Sequence, residues 1–254
     1  MALLTDKVVI VTGAAGGIGR ATATVLAAHG ARLVLSDVAA NACDDLVAQI
    51  TAGGGQAIYT RADLASEAAI AGLVEGAVAQ FGRIDGAFNN AGIEQKNKPL
   101  ADLTLEEWDQ AIRIDLTAVF LCIKHQVRAM LATGGGAIVN TASSLGQVAI
   151  PGAAEYIAAK HGVIGLTRAA GADYAAQGIR VNAVLPGIIR TPLIARLLDE
   201  PSFAAMGEKL KSRHPIGRFG EAHEVGEAVA WLLSDAASFM SGAAMACDGG
   251  YLSI

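Results

Sequence analysis

A strand, a glycine-rich turn and a helix follow one another at residues 7–30, and this succession restricts the fold more than any other feature. The apolar, β-branched run at 7–11 predicts a buried strand, and residues 20–29 predict an alanine-rich helix that stops at a glycine. Glycines in such a turn let backbone N–H groups approach a pyrophosphate at the helix N-terminus. The turn therefore predicts a nucleotide site, formed by Gly13, Gly17, Ile18 and Gly19.

Strands and helices alternate along the whole chain without a linker or a change of composition. This alternation predicts a single α/β domain over residues 1–254, a doubly wound parallel sheet of the Rossmann type with helices on both faces. Residues 193–219 lack a strong period and are expected to be irregular or weakly helical, with a substrate lid near 190–212. The further strands are expected at 32–36, 56–60, 84–88, 137–140, 179–185 and 243–247.

The composition restricts the possible class of this protein and its possible partners. Of the 254 residues, 53% are apolar and 17% charged, yet no run approaches the roughly 18 apolar residues of a membrane span. The net charge of −5 and the lack of a basic cluster argue against nucleic acid and anionic membranes as partners. Strand-like sequence from residue 7 leaves no room for a signal peptide. Three separated cysteines and five histidines without metal-ligand spacing predict a cytoplasmic protein with reduced thiols and no metal site.

The second strand ends in Asp37, eighteen residues after Gly19. A carboxylate at that place in a dinucleotide fold accepts a hydrogen bond from a ribose 2′-OH and repels a 2′-phosphate. Position 16 is glycine and offers no basic side chain to such a phosphate, so both features predict NAD rather than NADP. Asp63 and Leu64 follow the third strand, where the adenine would lie. Asp37 has an alternative role as the cap of the next helix.

Tyr156 and Lys160 are four residues apart on a predicted helix and therefore share one face. Tyrosine titrates near pH ~10, and an adjacent ammonium favours the phenolate, which brings the tyrosine towards general acid–base chemistry at neutral pH. Ser143 follows an apolar strand, and its hydroxyl is placed to hold a substrate oxygen beside the phenol. Taken alone, this spacing arises by chance in many helices, and a surface tyrosine and lysine is the alternative.

The chain carries TGAAGGIG at 12–19, NNAG at 89–92, PGxxxT at 186–191 and DGG at 248–250, together with Ser143 and the YxxxK pair. On these motifs it resembles the short-chain dehydrogenase/reductase family over nearly its whole length. The resemblance implies a seven-stranded parallel sheet and hydride transfer between a nicotinamide cofactor and an alcohol or ketone. Tyr156 would be the acid/base, Lys160 would lower its pKa and bind the nicotinamide ribose, and Ser143 would hold the reacting oxygen. The other implied cofactor residues are Asn90, Ala91, Gly92, Pro186, Gly187, Ile189 and Thr191.

Asp115 is a departure from the family pattern, which commonly has an asparagine in this helix. That asparagine helps to hold a water that joins the lysine to solvent. An aspartate accepts the same hydrogen bonds but cannot donate when it is ionised. Our hypothesis is that Asp115 still serves this proton relay and holds Lys160 charged. The alternative is an aspartate that pairs with Arg113 or is solvated.

The expected substrate pocket is mainly apolar, which favours a secondary alcohol or ketone with hydrocarbon bulk. Glu94 and Gln147 could instead contact the hydroxyls of a polyol or sugar, or face solvent. A 3-oxoacyl carrier-protein reductase would use NADPH and basic residues near positions 133 and 172, which this chain lacks. An NAD-binding regulator without catalysis and a serine hydrolase are further alternatives, but there is no GxSxG elbow. The expected wall consists of Ile93, Glu94, Gln95, Leu145, Gln147, Val148, Ile188, Leu193 and Ile194.

The two long helices predicted at 104–133 and 153–177 are apolar on more than one face. Such helices must bury more than one face. In the family, the corresponding helices pair with their copies in a second subunit. We therefore expect a homotetramer, with a dimer as the alternative.

Overall fold

A seven-stranded parallel sheet lies at the centre of the computed structural model, which describes residues 2–198 and 204–254. The strand order is β3-β2-β1-β4-β5-β6-β9, so the predicted doubly wound, three-layer fold is confirmed. The strands are β1 (Val8–Thr12), β2 (Arg32–Asp37), β3 (Gln56–Arg61), β4 (Gly86–Asn89), β5 (Gly136–Thr141), β6 (Ile179–Pro186) and β9 (Ala244–Cys247), with β7 (Ile189–Arg190) and β8 (Gly220–Glu221) paired outside this sheet.

Helices cover both faces of the sheet and bury two apolar cores. On one face, the cluster that contains Val9 and Val11 packs against Leu26 and Val229. On the other, Ile10 belongs to a cluster with side chains from three further helices. Alternate residues of the strand thus enter opposite cores, as the period of a strand requires. The helices are α1 (Gly17–Ala28), α2 (Asp44–Ala52), α3 (Glu67–Phe81), α4 (Leu105–Ile112), α5 (Ala118–Leu131), α6 (Ala154–Tyr174), α7 (Pro192–Leu198), α8 (Ala204–Lys211) and α9 (Ala222–Leu233).

The helix expected over 104–133 is interrupted in its middle. It begins as predicted with a capping box, in which Thr104 Oγ1 accepts from Glu107 N at 3.2 Å and Glu107 Oε2 accepts from Thr104 N at 3.1 Å. A π-helical turn at Arg113–Thr117 then separates α4 from α5. π-Turns inside helices often occur at functional sites, and sequence periodicity does not reveal them.

The segment expected to be irregular or weakly helical after residue 192 contains two short helices, α7 and α8. Residues 199–203, which fall inside the expected lid, lie outside the described residues. Whether 190–212 closes over a substrate stays a prediction. None of the helices in the described ranges combines the length and the apolar character needed to cross a bilayer.

A buried set of polar side chains joins two strands to the two long helices behind them. Asn89 Nδ2 donates to Gln126 Oε1 at 3.0 Å and to Asn140 Oδ1 at 2.9 Å, while Gln126 Nε2 donates to Asn89 Oδ1 at 2.7 Å. Asn140 Nδ2 donates to Thr167 Oγ1 at 3.0 Å. Because these amides are paired in a low-dielectric interior, they fix the register of β4 and β5 against α5 and α6. The residues that follow these strands form the site described next.

Candidate active site

A cleft of about 380 Å³ opens where β1, β2 and β4 end. In the sheet, β1 lies between β2 and β4: the first half of the chain adds strands on the side of β2, and the second half adds them on the side of β4. The order of the strands reverses at this point, and open α/β sheets bind ligands at such a switch point. Half of its lining was predicted from the sequence: Gly13, Asp37, Asp63, Leu64, Asn90, Ala91 and Gly92. Sequence reasoning missed Ser36, Val38, Ala62, Gln110 and Ile114, which line the same cleft.

The glycine-rich turn has no room for side chains. Gly13 has φ +62°, and a Cβ there would lie 2.8 Å from the Cα of Ala91. A Cβ on Gly19 would collide with the Gly13 carbonyl oxygen, and one on Gly17 would lie 2.8 Å from the Cβ of Thr191. The turn therefore exposes the first backbone N–H groups of α1 to the cleft, a cradle that fits the pyrophosphate of a dinucleotide. It also places the PGxxxT segment beside the turn.

Asp37 is fixed at the edge of the cleft by two backbone donors. Its Oδ2 accepts from Ala15 N at 3.1 Å and its Oδ1 accepts from Val38 N at 2.8 Å. The alternative role as the cap of the next helix is wrong, because α2 begins at Asp44 and its N-cap is Cys43. The Asp37 carboxylate is thus held at the cleft by one backbone N–H of the glycine-rich turn and one of the residue that follows it.

Asn90 joins three strands below the cleft. Its Nδ2 lies 3.2 Å from the carbonyl oxygens of both Thr12 and Gly13, and its Oδ1 accepts from Thr141 Oγ1 at 3.4 Å. The Thr12 hydroxyl in turn accepts from Asn90 N at 3.0 Å and from Ala91 N at 3.2 Å. Thr12 was not identified as a site residue from the sequence, although it is the threonine of TGAAGGIG. Asn90 and Thr12 together hold the two glycine motifs against each other.

The three residues expected to carry the chemistry meet at the end of β5. Lys160 is 3% exposed, and its Nζ donates to the Thr141 carbonyl at 3.2 Å. The same Nζ lies 5.2 Å from the ring centroid of the half-buried Tyr156. The Ser143 oxygen accepts from Leu145 N at 3.1 Å, and the Ser143 side chain acts to lower the pKa of Tyr156. This is the arrangement that the YxxxK pattern predicted.

Asp115 lies inside the π-turn and is fully buried. Its Oδ1 accepts from Ile93 N at 2.9 Å and lies 3.7 Å from Lys160 Nζ. A Cβ on Gly92 would lie 2.6 Å from that oxygen, so the glycine of NNAG is needed for this approach. The alternatives, a pair with Arg113 or a solvated carboxylate, are both wrong. The extra residue of the π-turn brings the carboxylate to Lys160.

Burial dominates the proton affinities of these groups. It raises the pKa of Tyr156, and the charges of Asp115 and Glu94 raise it further, while the neighbouring Ser143 side chain lowers it. Burial also lowers the pKa of Lys160, against the opposing charges of Asp115 and Glu94. The pKa of Asp115 itself is raised, because burial outweighs the attraction of Lys160. In the chain by itself, Tyr156 therefore does not have the lowered pKa expected from its lysine neighbour.

The expected substrate residues are exposed to solvent to different degrees. Glu94 and Gln147 are exposed, and Leu145 and Ile188 are half-buried. The backbone N–H of Ile188 donates to Nε2 of the buried His214 at 3.1 Å, a contact that no sequence pattern indicated. That Glu94, Gln147, Leu145 and Ile188 bind the substrate stays a prediction. The cofactor-binding roles of Pro186, Gly187, Ile189, Ile18 and Thr191 also stay predictions. The side chain of Leu193 lies outside the described residues.

Comparison with known proteins is consistent with this geometry. A family model described as enoyl-(acyl carrier protein) reductase matches residues 13–252. The chain is 49% identical over 255 residues to a 2,5-dichloro-2,5-cyclohexadiene-1,4-diol dehydrogenase of Sphingobium indicum, with 100% of both chains covered. It superposes on the crystal structure of a levodione reductase with a TM-score of 0.93 and 41% identity, covering 98% of this chain and 99% of that one.

A second solved structure bears on the cofactor. It is a putative NAD(P)-dependent gluconate 5-dehydrogenase from Beutenbergia cavernae with bound NADP at low occupancy. The TM-score is 0.91 at 35% identity, and 99% of this chain and 98% of that one are covered. A nicotinamide dinucleotide is thus the cofactor class of the family, and this neighbour contains NADP.

Asp115→Asn is expected to move the pH at which alcohol oxidation reaches half its maximum down by about one unit, the effect of one charge several Å away. The substitution removes a carboxylate that raises the pKa of Tyr156, while the amide oxygen still accepts from Ile93 N. The measurement is kcat/KM for an alcohol against pH. Asp109→Asn makes the same change at an exposed position of α4 and should leave the profile in place. Identical profiles for Asp115→Asn and the wild type would contradict the coupling.

Proposed function

Since the chain belongs to the short-chain dehydrogenase/reductase family and is an oxidoreductase of secondary alcohols and ketones, we propose that it transfers hydride between NAD(H) and a secondary alcohol on an apolar ring. The observation that carries the proposal is the meeting of Tyr156, Lys160 and Ser143 beside a dinucleotide cleft that ends in Asp37. The mainly apolar wall and the cyclic diol named for the Sphingobium relative support the ring.

The chain's own part in the reaction is to position the substrate oxygen and to move its proton. When bound, the nicotinamide supplies the acceptor or donor of the hydride. The Ser143 oxygen accepts from Leu145 N, and its O–H is the group that would donate to the substrate oxygen. Tyr156 as phenolate takes the hydroxyl proton during oxidation and returns it as phenol during reduction. The Lys160 ammonium next to its ring favours the phenolate.

We infer that the proton taken by Tyr156 leaves through Lys160 and Asp115: the Lys160 ammonium gives a proton to the Asp115 carboxylate, and the amine so formed accepts the proton of the Tyr156 phenol. Lys160 Nζ lies 3.7 Å from Asp115 Oδ1, and both groups are buried. Their pKa shifts in opposite directions, raised for the acid and lowered for the base, bring the two proton affinities closer together. A small difference in proton affinity favours transfer in both directions, which a reversible oxidoreductase requires.

The cofactor is proposed to be NAD because the Asp37 carboxylate faces the place of the adenosine ribose. It is held there by Ala15 N and Val38 N, and Gly16 beside it provides no cation for a 2′-phosphate. A carboxylate accepts from a 2′-OH and repels a phosphate. Asp63 and Leu64 line the same cleft and are placed to contact the adenine.

Asp37→Ala is expected to reduce the preference for NAD over NADP at least tenfold, measured as the ratio of kcat/KM for the two cofactors. The reason is the loss of both the hydroxyl acceptor and the repulsion of the phosphate. Asp44→Ala removes the same charge at an exposed position outside the cleft and should leave the ratio within about twofold. A wild-type enzyme that prefers NADP would overturn the proposal and favour a biosynthetic reductase.

The other functions considered from the sequence are less well supported. A reductase of carrier-protein thioesters needs basic residues at the places where this chain has Thr133 and Ala172. A polyol or sugar substrate depends on Glu94 and Gln147, both of which are exposed. The contact between Lys160 and Tyr156 is not explained if the protein is a regulator without turnover, and it is not explained if the protein is a hydrolase. We also propose that the segment 190–212 is a lid over the substrate. We propose the cytoplasm as the location of the protein.

Turnover is expected with NAD and a cyclic secondary alcohol such as cyclohexanol, followed as absorbance of the reduced nicotinamide. Tyr156→Phe should reduce kcat/KM by about 10²–10⁴-fold, because it removes the proton acceptor and keeps the ring. Its affinity for NAD should change little, since the glycine cradle and Asp37 are intact. Tyr174→Phe on the same helix is the control and should retain activity. An active Tyr156→Phe enzyme would refute the assigned role.

We also propose that the subunits form a homotetramer, with a dimer as the alternative. The supporting observation is a set of large apolar side chains exposed on α4 and α5, with Leu105 at 69%, Phe120 at 47% and Leu131 at 43%. Exposed apolar area of this kind on two helices favours association. Phe120→Glu should shift the sedimentation coefficient of the protein to a smaller species, whereas a wild type that sediments as a monomer at all concentrations would refute assembly.

A further inference from the structure

The buried imidazole of His214 joins the end of α8 to the segment that follows β6. His214 is 2% exposed, its Nδ1 lies 3.1 Å from the Leu210 carbonyl oxygen, and its Nε2 lies 3.1 Å from the backbone N of Ile188. A carbonyl oxygen only accepts and a backbone N–H only donates, so Nδ1 carries the proton and Nε2 is the acceptor. The two contacts together therefore require the neutral ring in a single tautomer.

The backbone of Ile188 is held at both of its polar groups. Its N–H donates to His214, and its carbonyl oxygen accepts from Gly220 N at 3.0 Å, beside the paired strands β7 and β8. A Cβ on Gly187 would lie 2.9 Å from His214 Nε2. The glycine of PGxxxT at this position is therefore needed for the close approach of the imidazole to the backbone.

The segment 187–191 ends against the glycine-rich turn of the nucleotide cleft. A Cβ on Gly17 would lie 2.8 Å from the Cβ of Thr191 and 3.1 Å from Cδ of Pro192. Thr191 N donates to the Ile189 carbonyl at 2.8 Å, so the end of the segment is a tight, hydrogen-bonded turn. Because the segment and the glycine-rich turn are in close contact, a displacement of the segment changes the wall of the proposed cofactor site.

The DGG motif near the C-terminus supports the same imidazole from another direction. Asp248 Oδ1 accepts from Gly250 N at 2.9 Å, and the Asp248 carbonyl accepts from Tyr251 N at 3.1 Å. This turn places the centroid of the Tyr251 ring 5.4 Å from that of His214, and the Phe219 ring lies edge-on to the imidazole at 5.9 Å. Packing against two aromatic rings limits the motion of the His214 side chain.

We propose that His214 is a positioning residue for cofactor binding, whose ring joins α8 to Ile188 N and so keeps the segment 187–191 beside the glycine-rich turn. The inference rests on the proposed function, in which this segment contacts NAD. Without the hydrogen bond to His214, the segment is displaced for part of the time, and the apparent affinity falls with the fraction of protein that is competent to bind. The loss of one hydrogen bond changes such a population by about three- to tenfold.

Two substitutions separate the two contacts of the ring. The amide nitrogen of an asparagine takes the place of Nδ1, and the amide oxygen of a glutamine takes the place of Nε2. His214→Asn therefore keeps the donor to the Leu210 carbonyl and loses the acceptor for Ile188 N. His214→Gln keeps the acceptor for Ile188 N and loses the donor to Leu210.

The experiment measures the dissociation constant of NAD by isothermal titration calorimetry, and then KM for NAD and kcat with cyclohexanol. His214→Asn is expected to raise both the dissociation constant and KM about three- to tenfold. Its kcat at saturating NAD should stay within about twofold, because Tyr156 and Lys160 are untouched. His214→Gln should stay within about twofold of the wild type in all three quantities. His223→Asn makes the same change at an exposed position of α9 and is the control.

An NAD affinity of His214→Asn equal to that of the wild type would overturn the inference. A His214→Gln protein that binds NAD as weakly as His214→Asn would also overturn it, because the contact with Ile188 would then not be what matters. A fall in kcat equal to the rise in KM would do the same, since it would indicate a general structural role.

Amide hydrogen exchange of the wild type, followed by mass spectrometry over 187–191, provides a test that needs no variant to fold. The inference predicts that the Ile188 amide is protected before NAD is added, because His214 already accepts from it. Exchange as fast as that of an open loop would contradict the inference. If the wild type binds NAD but oxidises no alcohol, the proposed function fails, and the dissociation constants still decide on His214. If it binds no NAD, both fail.

Discussion

The contact between Lys160 and Asp115, 3.7 Å apart and almost without access to solvent, is the interaction on which the rest of the site depends. Removing two charges from water is costly, and their mutual attraction offsets this only when the geometry is favourable. The chain meets that demand with the Thr141 carbonyl below the ammonium and the Ile93 N–H on the carboxylate. It also needs a π-turn in the helix and a glycine at position 92 to let the groups approach.

The sheet provides the rigid support for this pair. Strands β1, β4 and β5 end side by side, and the buried amides of Asn89 and Asn140 hold the last two in register with the helices behind them. Thr12 and Asn90 then join the glycine turn to the segment that follows β4. The cofactor cleft and the groups proposed for proton transfer therefore lie at the ends of adjacent strands. A small change in the register of these strands would displace both at once.

Much of the fold and of the site could be predicted from the sequence, because strong local sequence patterns indicate these features. The buried strands, the glycine turn and the pair Tyr156 and Lys160 follow from period, turn chemistry and helical spacing. The π-turn could not be predicted, since one extra residue in a helix leaves no periodic signal over so short a stretch. The place of Asp115 beside Lys160 was therefore expected only from the family resemblance, with Arg113 as the alternative neighbour, and the structure shows Lys160 there.

Long-range contacts account for the other omissions. Glu155 is the residue before the catalytic tyrosine, and only the fold shows that Lys96 N, 59 residues away in the chain, lies against it. The expectation that Lys160 would lower the pKa of Tyr156 considered one neighbour and omitted burial, Asp115 and Glu94, all of which raise it. A pKa is the sum of these effects, and the sequence revealed only one of them.

The most direct measurement of this balance is an ultraviolet titration of Tyr156 in the protein without cofactor, as the difference between the wild type and Tyr156→Phe. The phenolate absorbs at longer wavelength than the phenol, and the subtraction removes the other three of the four tyrosines. We predict that Tyr156 titrates clearly above the usual value near pH ~10 of a free tyrosine. A titration at or below that value would contradict the account, because the charge of Lys160 would then outweigh burial and the two carboxylates.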